Sequence, residues 1–434
     1  MTIRWLWPRS RDRRSALSPA MPWWLALAGA AASAQAATQV LRPRRGLIAP
    51  DPARLSDYFD DAEVARARAF ARPQLALGLG AGAIQTAALA ALAVRPPARL
   101  YAGGIARRRP LAAAALTGAA LTAGVGMSSL PVRAVARRRS LAAGLATQSW
   151  GGWAADVAKG TAITSALSGL GAPAAIVLMR HRPASWWIPA AATSVAGAAL
   201  LTFAAPLVLD PIFNRFTPLP SGQTREDVLE LAEAAGVRVG EVYEVDASRR
   251  TTAANAYVAG LGATKRVVLF DTLLKSFTRE ETRLVVAHEL AHVRHRDVPH
   301  GLLLTALMAP GAMYATAALT SAISPSGEIA LASPAVLPPL GLAAAIVGAV
   351  VGVASARYSR QVEARADAFA LRLTAAPDPF VSFERRIVMQ NLADPQPPRW
   401  LTRLLASHPP TLERIGIALA YRRGASEGAS AASA

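Results

Sequence analysis

The sequence predicts a mainly α-helical, polytopic membrane protein with about seven transmembrane helices and one small α+β insert. Composition points there first: 53% of the 434 residues are hydrophobic and only 17% charged, against about 25% charged in soluble domains. Mean hydropathy is +0.28, too apolar for an open, solvated coil. Next, uncharged runs recur at 15–41, 74–94, 110–132, 160–179, 183–209, 301–323 and 329–356, each near the roughly 20 residues that cross a bilayer. Finally, one long polar stretch, 210–300, mixes helical and strand-like patterns.

Residues 1–209 read as an N-terminal membrane region of five spans. Trp23, Trp24, Trp186 and Trp187 stand near the ends of two of them, where amphipathic rings favour the membrane–water interface. Arg9 to Arg14, followed by an Ala-rich stretch and Ala34-Gln35-Ala36, also has the pattern of a signal peptide; the run is read here as a retained span. Net charge is +19, with Lys159, Lys265 and Lys275 the only lysines. The arginines cluster between apolar runs, as at Arg42, Arg44 and Arg45, Arg107 to Arg109 and Arg137 to Arg139. Charge placed beside spans makes the lipid bilayer the expected partner, not nucleic acid. The chain has no cysteine, which excludes disulfides, catalytic thiolates and thiolate metal sites.

The segment 210–300 reads as a small folded unit. Thr224 is the expected N-cap of a helix ending at Gly236, with Val228, Leu231 and Ala235 on one face. Three β-prone runs follow at Val237 to Val245, Asn255 to Val258 and Lys265 to Phe270. Thr278 to Glu281 then form a capping box for a helix running to about Asp297. Two further spans occupy 301–356. A helical segment is expected over 357–422, and 423–434 has the Ser/Ala/Gly composition of a disordered tail. The short link 324–328 carries no Lys or Arg, whereas Arg294, Arg296, Arg357, Arg360 and Arg365 flank the other ends of these spans. By the positive-inside rule the face carrying 210–300 is cytoplasmic.

The chemistry lies at His288-Glu289-Leu290-Ala291-His292, in a chain with only six histidines. Positions i and i+4 of a helix share a face, so both imidazoles can reach one ion. Glu289 stands beside them as a base for the attacking water. An ordinary solvated helix face would show this pattern by chance on the order of one time in a hundred or less. A catalytic zinc site uses three protein ligands. His295, i+3 from His292, is one candidate for the third. The other is a carboxylate from Ser359 to Asp367, where Glu363 and Asp367 are i and i+4 on a predicted helix. Spacing alone leaves these open, since that pair also reads as a salt-bridged helix face beside Arg360 and Arg365.

The ordered set of motifs resembles the integral-membrane zinc metallopeptidases of the CAAX prenyl protease type I family. The resemblance rests on the H-E-x-x-H after span five, two spans, and then Ser359 to Ala370. Phe213 to Leu219, Asn255-Ala256-Tyr257 with Gly260, Arg266 to Leu274, and Ser407-His408-Pro409-Pro410 with Glu413-Arg414 also match. It implies a zincin-like (gluzincin) catalytic insert and one Zn2+ per chain, held by His288, His292 and Glu363, with Glu289 activating water and Asp367 supporting a ligand. It implies further that Asn255, Ala256, Tyr257 and Val258 form an edge strand that binds substrate, and that Asn255 and His408 stabilise the oxyanion. Taken alone, Asn255 would be a turn residue and His408 a loop residue before two prolines.

The first 200 residues match chiefly in span layout and around Asp57 to Arg72. The Ala-rich, Arg-rich composition suggests a bacterial source, so the chemistry transfers more firmly than a prenylated substrate does. The expected function is hydrolysis of peptide bonds in membrane-associated protein substrates at a bacterial plasma membrane. The alternatives are a quality-control peptidase for membrane proteins and a non-catalytic scaffold or channel, and Glu289 argues against the scaffold because structural zinc needs no carboxylate there.

Overall fold

The computed structural model describes residues 21–95, 108–260, 265–324 and 333–433. Arg9 to Arg14, the start of the first apolar run, Arg107 and most of the Lys- and Arg-free link between the last two spans lie outside them. The N-terminal region comprises α1 (Trp23–Leu41), α2 (Asp61–Val94), α3 (Pro110–Ser128), α4 (Leu130–Ala142), α5 (Trp150–His181) and α6 (Trp187–Phe213). Asp60 and Glu63 cap α2 reciprocally, which starts it 13 residues ahead of the apolar run (74 minus 61). Helices α3 and α5 meet closely at Gly118, where a Cβ would fall 2.7 Å from Ala172 Cβ; small residues permit such approach where lipid supplies no hydrophobic drive.

The insert holds β1 (Phe216–Pro218), α7 (Gln223–Ala234), β2 (Glu241–Val245), β3 (Ala256–Ala259), β4 (Arg266–Phe270), α8 (Asp271–Ser276) and α9 (Arg279–Arg294). The sheet order is β1-β2-β4-β3. Strand β2 is parallel to β4, while β1 and β3 run antiparallel to their neighbours. Val267, Val268 and Leu269 of β4 are fully buried, as expected of an apolar run covered on both faces. Strand β1 was not anticipated. Helix α7 begins one residue before Thr224, capped by Gly222 at φ 152°, so Thr224 is inside the helix.

The chain continues through α10 (Asp297–Ile323), α11 (Leu337–Thr374), α12 (Pro377–Gln390), α13 (Arg399–Leu404) and α14 (Thr411–Ser433). The H-E-x-x-H helix stops at Arg294, three residues earlier than expected, because Arg296 adopts a left-handed conformation (φ 57°) and α10 starts afresh. Helix α11 runs unbroken across the boundary placed at 356/357. Helix α14 likewise continues into the tail expected to be disordered, with an Arg423–Glu427 i,i+4 pair in its exposed part.

Among the described residues, α2, α3, α5, α6, α10 and α11 are the six helices long and apolar enough to cross a membrane. The expected seventh, α1, is 19 residues long but is diluted by Ser33, Gln35 and Gln39. It nevertheless packs into the bundle: Ala26 and Ala30 share a core with Ala315, Ala318, Ala343 and Val347.

Candidate metal centre

Helix α9 is pinned before its histidines are reached. Thr278 and Glu281 cap it reciprocally, and Glu281 also accepts from Ser382 at 2.9 Å and pairs with Arg386 of α12. Leu284, Ala287, Leu290 and Ala291 bury one side of α9, leaving His288 and His292 together with ring centroids 5.0 Å apart and nearly perpendicular. The loaded face of α9 meets α11 at Glu363 and Asp367, which are buried on consecutive turns.

Nε2 of His288 lies 3.3 Å from Nε2 of His292 and 3.1 Å from Oε2 of Glu363. The remaining edge, His292 Nε2 to Glu363 Oε2, is 3.8 Å. Ligands about 2.0–2.2 Å from a tetrahedral ion stand roughly 3.3–3.6 Å from one another. The three edges, 3.1 to 3.8 Å, scatter about that range, so the two imidazoles and one carboxylate stand close enough together to share a single tetrahedral metal after shifts of a few tenths of an ångström. Ligand atoms of His288, Glu289 and His292 also fall within 4.8 Å of one another, which keeps Glu289 at the same point.

Each outer nitrogen has an orienting partner. His288 Nδ1 faces Asp367 Oδ1 at 2.9 Å, and His292 Nδ1 faces Asp297 Oδ2 at 2.9 Å. Asp297 is in turn paired with Arg365. Arg414 of α14 binds both oxygens of Asp367, at 2.6 and 2.8 Å, and reaches Glu384 of α12 at 2.6 Å. Such partners hold ligand rings in one tautomer and orientation.

Electrostatics follow burial and these contacts. Burial works against a charged His288, but hydrogen bonds to Asp367 and Glu363 more than offset it and lift its pKa to about 10. A field that favours positive charge so strongly suits a dication. Burial raises the carboxyl of Glu289 above its ordinary range, against the opposing pull of His288 and His292. Burial likewise pushes Glu384 up to about 7 despite Arg414 beside it, and lowers His408.

His408 Nε2 sits 3.3 Å from Glu363 Oε2, with its Nδ1 2.9 Å from Ser407 Oγ. Asn255 immediately precedes β3, and its side-chain oxygen accepts from Ala256 N at 2.9 Å. Asn255, His288, Glu289 and His408 line one cavity of about 300 Å³, walled otherwise by Leu273, Leu284, Phe380, Phe383 and Ile387 among others. Ala256, Tyr257 and Val258 lie on β3 at the sheet edge, with Tyr257 donating to Asp210 at 3.2 Å.

The structure thus brings His288, Glu289, His292, Glu363, Asp367 and His408 together, with Asn255 on the wall of the same cavity; Ala256, Tyr257 and Val258 follow Asn255 along β3 outside the cavity lining, and His295 stands apart. His295 ends α9 through its backbone N–H, which donates to Ala291 O, and its ring packs edge-on against Phe369, 5.4 Å between centroids, outside the donor group. Sequence reasoning missed Asp297 and Glu384. Asp297 could have been suspected from its place five residues after His292, whereas nothing around Glu384 distinguishes it from a surface helix carboxylate.

The sequence profile of peptidase family M48 matches residues 218–422. The uncharacterized metalloprotease YhfN of Bacillus subtilis is 30% identical over 295 residues, covering 66% of this chain and 68% of that protein. The probable CAAX prenyl protease 1 of Schizosaccharomyces pombe is 32% identical over 187 residues, 41% of this chain and 39% of that one. The crystal structure of S. mikatae Ste24p superposes with a TM-score of 0.72 at 20% identity, covering 92% of this chain and all of that one. That likeness establishes a shared fold.

Proposed function

The chain belongs to peptidase family M48, as an integral-membrane metallopeptidase, and from that membership we propose a zinc endopeptidase that cuts membrane-attached proteins at the cytoplasmic face of a bacterial plasma membrane. The observation that carries this reading is the triangle of His288, His292 and Glu363 with Glu289 beside it. Two imidazoles and one carboxylate are a zinc donor set, one ion per chain, with a position left open.

Bound zinc supplies a Lewis acid for the scissile carbonyl and acidifies water. Glu289 takes the proton of the attacking water and passes it to the leaving amine, a task that a carboxyl raised by burial suits. Asp367 and Asp297 hold the two histidine rings in place. Substrate adds to the free edge of β3 over Ala256 to Val258. Asn255 and His408 donate to the oxygen that becomes negative. The arginines at the site-side ends of α10 and α11 support the cytoplasmic orientation. Because α10 follows α9 after two residues (295 and 296), the site sits at a membrane surface, which favours substrates held by lipid or by a span.

Two relatives named CAAX prenyl proteases suggest a prenylated carboxyl-terminal sequence as substrate. The test uses the full chain in neutral vesicles, assayed for metal and for cleavage of a peptide ending in C-a-a-X with and without an isoprenyl chain. The lipid adds about 0.8 kcal/mol per buried CH2, so the prenylated peptide should be cut much faster. Equal rates reject the prenyl reading and favour a quality-control role. A zinc-loaded protein that cleaves neither peptide rejects the peptidase reading.

A further inference from the structure

Outside the membrane helices the chain hides its large apolar side chains almost completely after residue 213. Among the described residues from Asn214 onward, the exposed ones lie either on the span α10 or on and beside α13, where Trp400, Leu404 and Leu405 are 47%, 45% and 51% exposed. Helix α13 divides into stripes. Trp400 and Leu404 form one i,i+4 pair, Arg399 and Arg403 form the neighbouring exposed pair, and Leu401 and Thr402 are partly buried. An arginine-bearing face beside an aromatic and aliphatic one is the pattern of helices that lie in a membrane interface.

Polar contacts fix the depth of α13 at both of its ends. Before it, Asp394 pairs with Arg68 and Arg72 of α2 at 3.3 and 3.4 Å, and Arg72 stands two residues ahead of the uncharged run that begins at 74. After it, Arg360 of α11 donates to Ala406 O at 2.6 Å and to Arg403 O at 3.3 Å. Arg360 stands four residues past Ala356, the last position of its uncharged run. At 1.5 Å per residue these two marks lie about 3 and 6 Å outside the apolar segments. The headgroup layer is roughly 5–7 Å deep on each side of the hydrocarbon, so α13 lies within it. Arg357, exposed one turn before Arg360, adds a further cation at that level.

We propose that α13 is an interfacial anchor: Trp400, Leu404 and Leu405 enter the hydrocarbon boundary of the leaflet, and Arg357, Arg399 and Arg403 bind phosphates of anionic phospholipid. Charge favours this occupant over a second copy of the chain, which carries +19 overall and would set arginine against arginine. The anchor ends four residues before His408, whose Nε2 is 3.3 Å from Glu363 Oε2, and Glu363 follows Arg360 by three residues on α11. The bilayer surface thereby holds one end of the loop that carries His408. The anchor rests on membrane residence alone; only the importance of that loop rests on the peptidase reading above.

The experiment uses the zinc-loaded full chain in vesicles. The chain has no cysteine, so Leu404→Cys gives a single attachment point for the environment-sensitive fluorophore NBD. Leu405→Cys repeats the measurement should the first variant fold poorly, and Glu226→Cys, exposed on α7, is the aqueous reference. In vesicles of phosphatidylcholine with phosphatidylglycerol, phosphatidylcholine spin-labelled high on its acyl chain should quench the α13 label at least 3-fold more than the reference. Quenching equal to the reference overturns the proposal. So does shielding that is lost when the protein is diluted in lipid, which would mark contact with a second copy, or shielding that appears only with added peptide, which would mark a substrate surface. Arg399→Gln with Arg403→Gln in the labelled chain should abolish the extra quenching that phosphatidylglycerol gives over pure phosphatidylcholine. An undiminished response to phosphatidylglycerol overturns the phosphate assignment. No step of the measurement involves cleavage, so its failure leaves the peptidase reading untouched.

Discussion

Asp367 Oδ1 lies 2.9 Å from His288 Nδ1, and the same carboxylate is gripped through both oxygens by Arg414. Asp367 is fully buried, so one side chain joins α9, α11 and α14 and sets the direction of a metal-facing imidazole. Its alternatives in a dry site are few, and a buried, doubly satisfied carboxylate cannot swing away without stranding Arg414.

Asp367→Ala should therefore weaken zinc binding about 10- to 100-fold, the usual cost of losing the partner of a ligand histidine. Competition with a calibrated chelator measures it. Unchanged affinity would show that His288 is oriented by something else.

Glu289→Gln keeps the shape of the side chain but cannot accept a proton. Zinc content should stay near wild type while cleavage of a general peptide falls by about 10²–10⁴-fold. Both are read on one preparation, and retained cleavage would reject Glu289 as the base.

Glu363→Ala should lower zinc occupancy and activity together, whereas His295→Ala should leave the metal in place. The His295 ring is engaged with Phe369, so its loss should cost packing only, observable as a lower thermal midpoint. The reverse pattern of metal loss would reassign the third ligand.

Stability should show an acid-side dependence through Asp227. Hydrogen bonds from Arg279 and then Arg283, at 2.6 and 2.7 Å, hold this buried carboxyl below its ordinary range. A depressed folded-state pKa contributes stability above the unfolded value near 3.9, which fades as pH falls through the folded value. Asp227→Asn should therefore lower the thermal midpoint in detergent at pH 7, and the gap to wild type should narrow below about pH 4. A gap constant from pH 7 to 3 would count against this pairing.

How much was legible depended on sequence distance. His288 and His292 could be read directly, because a helix makes neighbours of i and i+4 whatever surrounds it. The capping box at Thr278 and Glu281 is local in the same way, and so is membrane residence, which follows from apolar runs and the cost of leaving backbone polar groups unpaired in lipid. Boundaries were less secure: α9 ends at Arg294 because Arg296 turns left-handed, and no residue type there announces it.

Pairings across many residues belong to the tertiary structure. Glu363 and Asp367 stood level on spacing, the resemblance favoured Glu363, and the geometry distinguishes them because α11 presents one to Nε2 and the other to Nδ1 of a residue 75 and 79 positions away. The edge position of β3 exists only because β4 pairs with β2 on its other side. Arg414 meets Glu384 only because α12 and α14 pack together. Local periodicity sets which side chains share a face, but burial and charge act on whatever the fold brings alongside, and that is decided by packing between distant segments.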